Sequence, residues 1–192
     1  MIKKLPMLQF DNIIIWRHAE AEVANFDLGE NDEVRQLTHK GQGHAKRMAH
    51  WLKKHLPDDT LLICSPALRA LQTAEALDYK IHLQDGLKPS ASLAEVLAVL
   101  VKIQNQLNQK AAKKQQKNIL VVSHQPWMGQ LVNYLFNQSK HPVHKIDPEN
   151  TSIKKGAVWW LRLHSIENVD DSTEQNMNQQ YKLLTLQTPS LL

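Results

Sequence analysis

The chain has a single cysteine, Cys64, among its 192 residues. It can therefore form neither an internal disulfide framework nor a cluster of metal-binding thiolates, and we expect it to work in a reducing cytoplasm. It also has no run near the ~18 apolar residues that a membrane-spanning helix needs. Lys3 and Lys4 precede only a short apolar stretch with no small-residue cleavage site, which argues against a secretory signal. These absences predict a cytoplasmic protein that does not associate with membranes.

Motifs for nucleotides and metals are missing as well. The sequence contains no Walker loop, no His-Glu-x-x-His and no triad of carboxylates. One predicted helix does carry or border several histidines, but His39 and His44, like His50 and His55, are five residues apart and do not stack on one face. The residues concerned are His39, His44, His50 and His55. We therefore expect no metal and no cofactor.

Positive charge exceeds negative charge slightly, with a formal net charge of +4. Part of the excess lies in Lys110, Lys113, Lys114 and Lys117. No aromatic residue alternates with these lysines, as single-strand nucleic-acid binding would require, so we expect no nucleic-acid partner. The length fits one domain spanning residues 1–192, which we expect to be a monomer.

Short aliphatic strands alternate with helical patterns along the chain. Thr38 is a predicted N-cap, and Ser92 with Glu95 forms a capping box at the start of another helix. Strands are predicted at 12–16, 61–64, 81–84, 119–122, 156–163 and 181–186, and helices after Thr38, over 65–77, after Ser92 and over 126–136. The polar segments 104–118 and 165–180 fit a helix end with a linker and a hairpin connection. This order predicts an α/β fold, a three-layer sandwich with a mainly parallel central sheet and helices on both faces.

Three of these strands end in residues that carry chemistry. Arg17 and His18 follow the first strand, Arg69 lies in the helical turn after the second, and His124 follows the fourth. The carboxyl ends of parallel strands share one edge of a sheet, which is where ligands bind in such folds. A surface arginine beside a partly buried histidine would explain the first pair alone. The repetition at three strand ends favours a common site.

Two arginines aimed at one point would suit a dianion, since the guanidinium fork matches phosphate oxygens. A neutral imidazole nitrogen nearby could attack phosphorus and form a covalent phosphohistidine. Arg17, Arg69 and the second histidine would then stabilise charge on the phosphoryl oxygens. The pattern therefore predicts phosphoryl transfer without a metal.

The same residues carry a resemblance to a known family. The motifs, in order along the chain, are Arg17-His18-Ala19-Glu20-Ala21-Glu22, Arg35-Gln36-Leu37-Thr38 with Gly41, Ser65-Pro66 with Arg69 and Gln72-Thr73, and Ser123-His124-Gln125-Pro126 with Gly129. Together they resemble the histidine phosphatase superfamily, and within it the small SixA-type phosphohistidine phosphatases. The resemblance implies a phosphoglycerate mutase-like fold with His18 as the nucleophile, its ring fixed by a backbone hydrogen bond. It also implies a phosphate pocket of Arg17, Arg69 and His124, and we expect Gln125 to bind substrate beside them.

Two positions depart from the family pattern. Ala19 stands where the superfamily usually has glycine, although alanine is common in the small branch. Gly86 falls where relatives tend to have a glutamate, so the general acid is missing and Asp85 is the fallback candidate. A phosphohistidine needs less help in leaving than an alkoxide does. The sequence thus predicts a phosphohistidine phosphatase acting on a signalling or phosphotransfer protein. A general small-molecule phosphomonoesterase and a catalytically silent phosphate-binding module are the alternatives.

Overall fold

The computed structural model describes residues 6–24, 31–110, 117–138, 151–166 and 178–192. Residues 111–116 of the lysine-rich segment, and most of the predicted loop and hairpin connection further along, lie outside these ranges. Among the described helices, none has the length and apolar character needed to cross a membrane.

The described part of the chain contains six strands and four α-helices, besides short 3₁₀ turns. The strands are β1 (Asn12–Arg17), β2 (Leu61–Cys64), β3 (Ile81–Leu83), β4 (Asn118–Ser123), β5 (Val158–Ile166) and β6 (Asn178–Gln187). The helices are α1 (His39–His55), α2 (Leu68–Glu75), α3 (Leu93–Lys110) and α4 (Trp127–Phe136). Every predicted strand and helix is present, with small differences at the ends.

The strands form one sheet in the order β3-β2-β4-β1-β5-β6. The first four run parallel, which confirms the mainly parallel sheet. β5 pairs with β1 in the antiparallel direction and β6 pairs with β5 in the same way, so the complete sheet is mixed. The parallel centre brings the carboxyl ends of β1, β2 and β4 to one edge.

Alternate side chains of the central strands bury themselves on opposite faces, as the pleat of a strand requires. Ile14 and Trp16 of β1 pack with α1 and α2, whereas Ile13 and Ile15 pack with α3 and α4. All four are fully buried. Because these central strands are covered on both faces, their sequences are unbroken apolar runs. The two layers of helices with the sheet between them confirm the three-layer sandwich.

The two side-chain caps that the sequence predicts at the starts of helices are both present. The Thr38 hydroxyl accepts a hydrogen bond from the Gly41 backbone N–H (2.9 Å). At the start of α3, the Ser92 backbone N–H donates to the Glu95 carboxylate (2.8 Å), and the Glu95 N–H donates to the Ser92 hydroxyl (3.3 Å). Each cap satisfies N–H groups that have no partner inside the helix.

Two helix boundaries differ from those predicted. The second helix begins at Leu68 rather than Ser65, because the Ser65 hydroxyl accepts from the Ala67 N–H (3.3 Å) and also contacts His124. α3 continues to Lys110 instead of loosening near Gln104. The Gln104 side chain is buried and accepts a hydrogen bond from the Gln9 N–H (2.6 Å), so this part of the helix packs on the protein.

A buried pair of amides joins the two central strands at their amino ends. The Asn12 side chain donates to that of Asn118 (2.6 Å), and these residues are direct partners in the β1–β4 register. Asn12 also accepts from the Trp160 indole (2.8 Å), while Asn118 donates to Asp59 (2.7 Å). In the same register Arg17 lies opposite Ser123 at the carboxyl ends.

Candidate active site

The carboxyl ends of β1 and β4 bring two imidazole rings together. The His18 backbone N–H donates to the Ser123 carbonyl (2.9 Å), so the chain leaving β1 stays beside β4. The ring centroids of His18 and His124 are 5.0 Å apart, and the ring planes are tilted by 50°. Both rings are almost completely buried.

The hydrogen bonds of His18 define the state of its ring. Nδ1 lies 2.7 Å from the Ala19 carbonyl oxygen, which can only accept, so Nδ1 carries the proton. Nε2 is then an acceptor, and Arg69 Nε donates to it over 3.3 Å. Burial, opposed by the Ala19 hydrogen bond and assisted by the charges of Arg69 and Arg17, lowers the pKa of His18 to about 3. The ring is therefore neutral at pH 7, with the Nε2 lone pair facing a guanidinium.

The second ring is held differently. His124 Nε2 lies 2.9 Å from the Ser65 hydroxyl, while Nδ1 is buried without a hydrogen-bond partner among the described residues. Burial, followed by repulsion from His18 in its protonated state and from Arg69, lowers the pKa of His124 to about 2. This ring is also neutral at pH 7.

Arg69 is the most thoroughly enclosed cation of the site, with 2% of its surface exposed. It lies in the first turn of α2, as the sequence predicts. Its two terminal nitrogens bind Asp32: one donates to the Asp32 backbone carbonyl (2.5 Å) and the other to the carboxylate (2.7 Å). The remaining Nε–H points at His18, so all three nitrogens of the guanidinium have a defined partner.

The Arg17 side chain makes a single described hydrogen bond. One terminal nitrogen donates to the Ile153 carbonyl (2.6 Å), whereas its Nε is buried with no described partner. Burial and the nearby charge of Arg69 lower the pKa of Arg17. The side chain also lines a cavity of about 760 Å³ whose wall includes Gln125, Tyr134 and Ser152.

Sequence reasoning named Arg35 only as part of a motif and missed the ion pair that it forms with Asp32. One oxygen of the Asp32 carboxylate accepts from Arg69, and the other accepts from Arg35 Nε (2.8 Å). Arg35 in turn donates to the Glu22 carbonyl (2.8 Å). The spacing of three residues between Asp32 and Arg35 was visible, but a single turn of 3₁₀ helix at 32–34 has no period to reveal it.

Thr73 was also missed as a support of the site. Its hydroxyl donates to the Arg69 carbonyl (2.7 Å) and accepts from the Ala19 backbone N–H (3.1 Å). This bridge ties the residue that follows His18 to the helix that carries Arg69. The available signal was the position of Thr73 one helical turn after Arg69, within the same motif, and the structure shows that it is fully buried.

Two glycines allow backbone segments to approach the site closely. A Cβ atom at Gly41 would overlap the Glu20 carbonyl, and one at Gly129 would overlap the Thr151 carbonyl. Both belong to the motifs noted in the sequence. Their lack of a side chain lets α1 and α4 pack against the loops that follow β1 and precede β5.

Two further predicted site residues make other contacts. The Asp85 side chain is 90% exposed and lies 3.7 Å from the Lys88 ammonium, and no described contact joins it to His18 or His124. The Gln125 amide donates to the Thr151 carbonyl (3.3 Å) and accepts from the Gly129 N–H (3.2 Å). Its described partners are therefore backbone groups beside the pocket. Within the described ranges, no three His, Cys, Asp or Glu side chains are grouped to hold a metal ion.

Known proteins share this arrangement of sequence and fold. Residues 13–96 match the model of the histidine phosphatase superfamily (branch 1). A phosphohistidine phosphatase SixA homolog from Haemophilus influenzae is 30% identical over 146 residues, which cover 69% of this chain and 80% of that protein. Phosphohistidine phosphatase SixA from Escherichia coli is 33% identical over 123 residues, covering 62% and 71%.

A solved structure supports the fold. The protein histidine phosphatase SixA complexed with tungstate superposes with a TM-score of 0.63 at 22% identity, over 94% of this chain and 98% of that one. At this identity the likeness concerns the fold alone. The matched motifs, the two curated relatives and the fold agree, and the chain belongs to the histidine phosphatase superfamily.

Proposed function

We propose that the protein hydrolyses phosphohistidine on a phosphotransfer protein, through a covalent intermediate on His18 and without a metal. The observation that carries the proposal is the state of the His18 ring. Its proton is on Nδ1, bound to the Ala19 carbonyl, and its Nε2 lone pair faces Arg69. A buried neutral imidazole whose unprotonated Nε2 accepts one long hydrogen bond (3.3 Å) from a guanidinium is a nucleophile placed next to an anion site.

In the first step, His18 Nε2 attacks the phosphorus of the substrate. The Nε2–P bond forms while the bond from phosphorus to the substrate nitrogen breaks. The leaving imidazole keeps the electron pair of that bond and takes a proton from solvent. Phosphohistidine is now on the enzyme, and the substrate histidine is restored.

In the second step, a water oxygen attacks the phosphorus of the phosphoenzyme. The P–Nε2 bond breaks, its electron pair returns to His18, and the proton of the water is passed to solvent. Inorganic phosphate leaves, and the ring regains its starting state with the Nδ1 proton still bound to Ala19. Each step is an in-line displacement, so positioning and charge stabilisation supply the catalysis.

Arg17, Arg69 and His124 are proposed to bind the phosphoryl oxygens. Arg17 Nε and His124 Nδ1 are buried polar atoms without described partners, and a phosphoryl oxygen would satisfy each when that nitrogen carries its proton. A Ser65 hydroxyl that donates to His124 Nε2 leaves the ring proton on Nδ1 for this purpose. Arg17, Arg35 and Arg69 against one carboxylate, Asp32, give the pocket the net charge that suits a dianion.

We propose phosphohistidine rather than an alkyl phosphate as the substrate for two reasons. Both curated relatives are named for phosphohistidine. In addition, Asp85, the predicted general acid, has its described ion pair with Lys88 and is exposed to solvent. A leaving imidazole accepts its proton near neutral pH, whereas an alkoxide depends on an acid in the site. We further expect the enzyme to be a cytoplasmic monomer.

The test uses a phosphotransfer domain carrying ³²P-labelled phosphohistidine, incubated with the purified protein in the presence and absence of EDTA. We expect release of labelled phosphate that EDTA does not change, and transient label on the enzyme. His18→Ala should remove both signals. Lys182→Ala, a substitution on the edge strand β6, serves as the matched control and should retain them.

Some outcomes would reject the proposal. Faster hydrolysis of an alkyl phosphate than of the phosphohistidine domain would favour the general phosphomonoesterase. Binding of the phosphorylated domain without any release of phosphate would favour the silent module. Release that EDTA abolishes would reject the metal-free reaction.

A further inference from the structure

The structure brings an acidic side chain, Asp32, into contact with Arg69 of the pocket. We propose that Asp32 is a positioning residue that aims the guanidinium of Arg69 at the phosphoryl group. The inference rests on the proposed function, since it concerns the same pocket. It assigns to Asp32 a task different from that of the missing general acid.

The geometry of Arg69 shows what Asp32 does to it. A guanidinium can present either the edge formed by its two terminal nitrogens or the edge that contains Nε. Asp32 occupies the terminal edge twice, with its backbone carbonyl at 2.5 Å and its carboxylate at 2.7 Å. The edge that contains Nε is thereby turned toward His18, where Nε lies 3.3 Å from Nε2. Any phosphoryl group attacked by Nε2 would meet this edge.

Asp32 is itself fixed from the other side. Its second carboxylate oxygen lies 2.7 Å from an Arg35 terminal nitrogen and 2.8 Å from Arg35 Nε. Arg35 also donates to the Glu22 carbonyl, which anchors it to the loop after β1. Each carboxylate oxygen of Asp32 therefore accepts hydrogen bonds from a different arginine. An asparagine has only one carboxamide oxygen, so it could keep one of these contacts and would turn its NH₂ group toward the other guanidinium.

The charge environment separates positioning from proton transfer. Burial raises the pKa of the Asp32 carboxyl, but the hydrogen bonds and charges of Arg69 and Arg35 outweigh it and hold the pKa below its ordinary value. Asp32 is then a carboxylate throughout the neutral range and has no proton to donate. Its two ion pairs suit a group that holds arginines in place.

The central experiment is Asp32→Asn, measured with the phosphohistidine domain and with the small substrate phosphoramidate. We expect kcat to fall by roughly 10²-fold for both, as a misplacement of about 1 Å near the reacting atoms would cause. KM and the inhibition constant of inorganic phosphate should stay the same or fall, because the pocket gains positive charge. The pH profile should keep its shape. Asp58→Asn, an exposed aspartate at the opposite edge of the sheet, is the matched control and should leave kcat unchanged.

A second variant and a spectroscopic measurement support the first. Arg35→Gln leaves Asp32 bound to Arg69 and should lower kcat by less than Asp32→Asn does. The Nε–H signal of Arg69 in ¹⁵N-edited NMR should be sharp and protected in the wild type. We expect it to shift and broaden in Asp32→Asn while the thermal transition remains cooperative.

Three results would overturn the role of Asp32: an unchanged kcat, a loss that grows as the leaving group becomes poorer, or an Arg69 signal that does not respond to Asp32→Asn. The second would identify Asp32 as a general acid. The NMR measurement needs no turnover. A wild type inactive on every phosphorylated substrate would therefore reject the proposed function, and the Arg69 signal would still decide the role of Asp32.

Discussion

The pocket has two halves that differ in how completely their polar atoms are paired. In the tethered half, which consists of His18, Arg69 and Asp32, the side chains bond to one another and to the backbone. In the open half, which consists of Arg17 and His124, one nitrogen of each side chain is buried without a described partner. A buried polar atom left unpaired costs roughly 1–3 kcal/mol. On the proposed function, the tethered half is thus prepared before substrate arrives, and the open half would gain its missing contacts from the substrate.

The largest effect should come from removing the arginine of each half in turn. We expect Arg69→Ala to lower kcat/KM by roughly 10³-fold and Arg17→Ala by roughly 10²-fold, the range observed when one transition-state donor is lost. We expect the larger loss of kcat/KM for Arg69→Ala because this substitution also leaves Asp32 without its Arg69 partner. Steady-state kinetics with the phosphohistidine domain would measure both, with the exposed Arg47→Ala as the control. The reverse order would contradict the division of the pocket into two halves.

Substitution of either of the two close-approach glycines should destabilise the folded protein. Gly41→Ala and Gly129→Ala each place a methyl group against a backbone carbonyl. We expect each to lower the free energy of unfolding by roughly 1–3 kcal/mol, as overpacking does. Gly43→Ala is the matched control within α1, because its Cβ would meet only the end of Arg47 at 3.9 Å. It should raise stability by up to ~1 kcal/mol, the difference in helix propensity. Urea denaturation of the three variants would measure these changes in the free energy of unfolding.

The contact between Ser65 and His124 offers a smaller test of the open half. Ser65→Ala removes the partner of His124 Nε2 and should lower the free energy of unfolding by about 1 kcal/mol, the net value of one hydrogen bond. Because the ring is then free to change tautomer, kcat/KM should also fall. Ser123→Ala removes a comparably buried hydroxyl that donates to the Leu87 carbonyl. Equal losses of kcat/KM in the two variants would show that Ser65 does not orient the ring.

The smallest effect concerns stability just below neutral pH. Burial holds the pKa values of His18 and His124 far below 6.5 in the folded protein, so the unfolded chain binds more protons than the folded one as the pH falls through 6.5. Stability is therefore complete above that pH and is lost on acidification toward the folded values. Between pH 7 and pH 6 we expect each ring to contribute a loss of about 0.7 kcal/mol. Calorimetry should show a shallower dependence in His18→Gln and His124→Gln, and an equal slope in all three proteins would contradict the buried neutral rings.

Much of the site could be predicted because strand ends locate it. Unbroken apolar runs identified β1, β2 and β4, and parallel strands share an edge, which placed Arg17, His18 and His124 together. Asp32 could not be found in this way, because it lies in a segment without a period and acts through partners distant in the chain. The antiparallel direction of β5 and β6 could not be predicted either, since a strand pattern does not show in which direction the strand runs through the sheet.

The amide pair Asn12–Asn118 has a consequence at the far end of the sheet. Both faces of β1 and β4 are apolar, so hydrophobic burial alone would tolerate a slip of one strand along the other. Such a slip would carry His124 about 3.3 Å away from His18. The two buried amides oppose such a slip, because any other alignment would leave the Asn12 NH₂ group and the Asn118 amide oxygen unpaired in the core. The alignment of His18 with His124 is thus enforced from about 20 Å away, by two side chains at the amino ends of the strands.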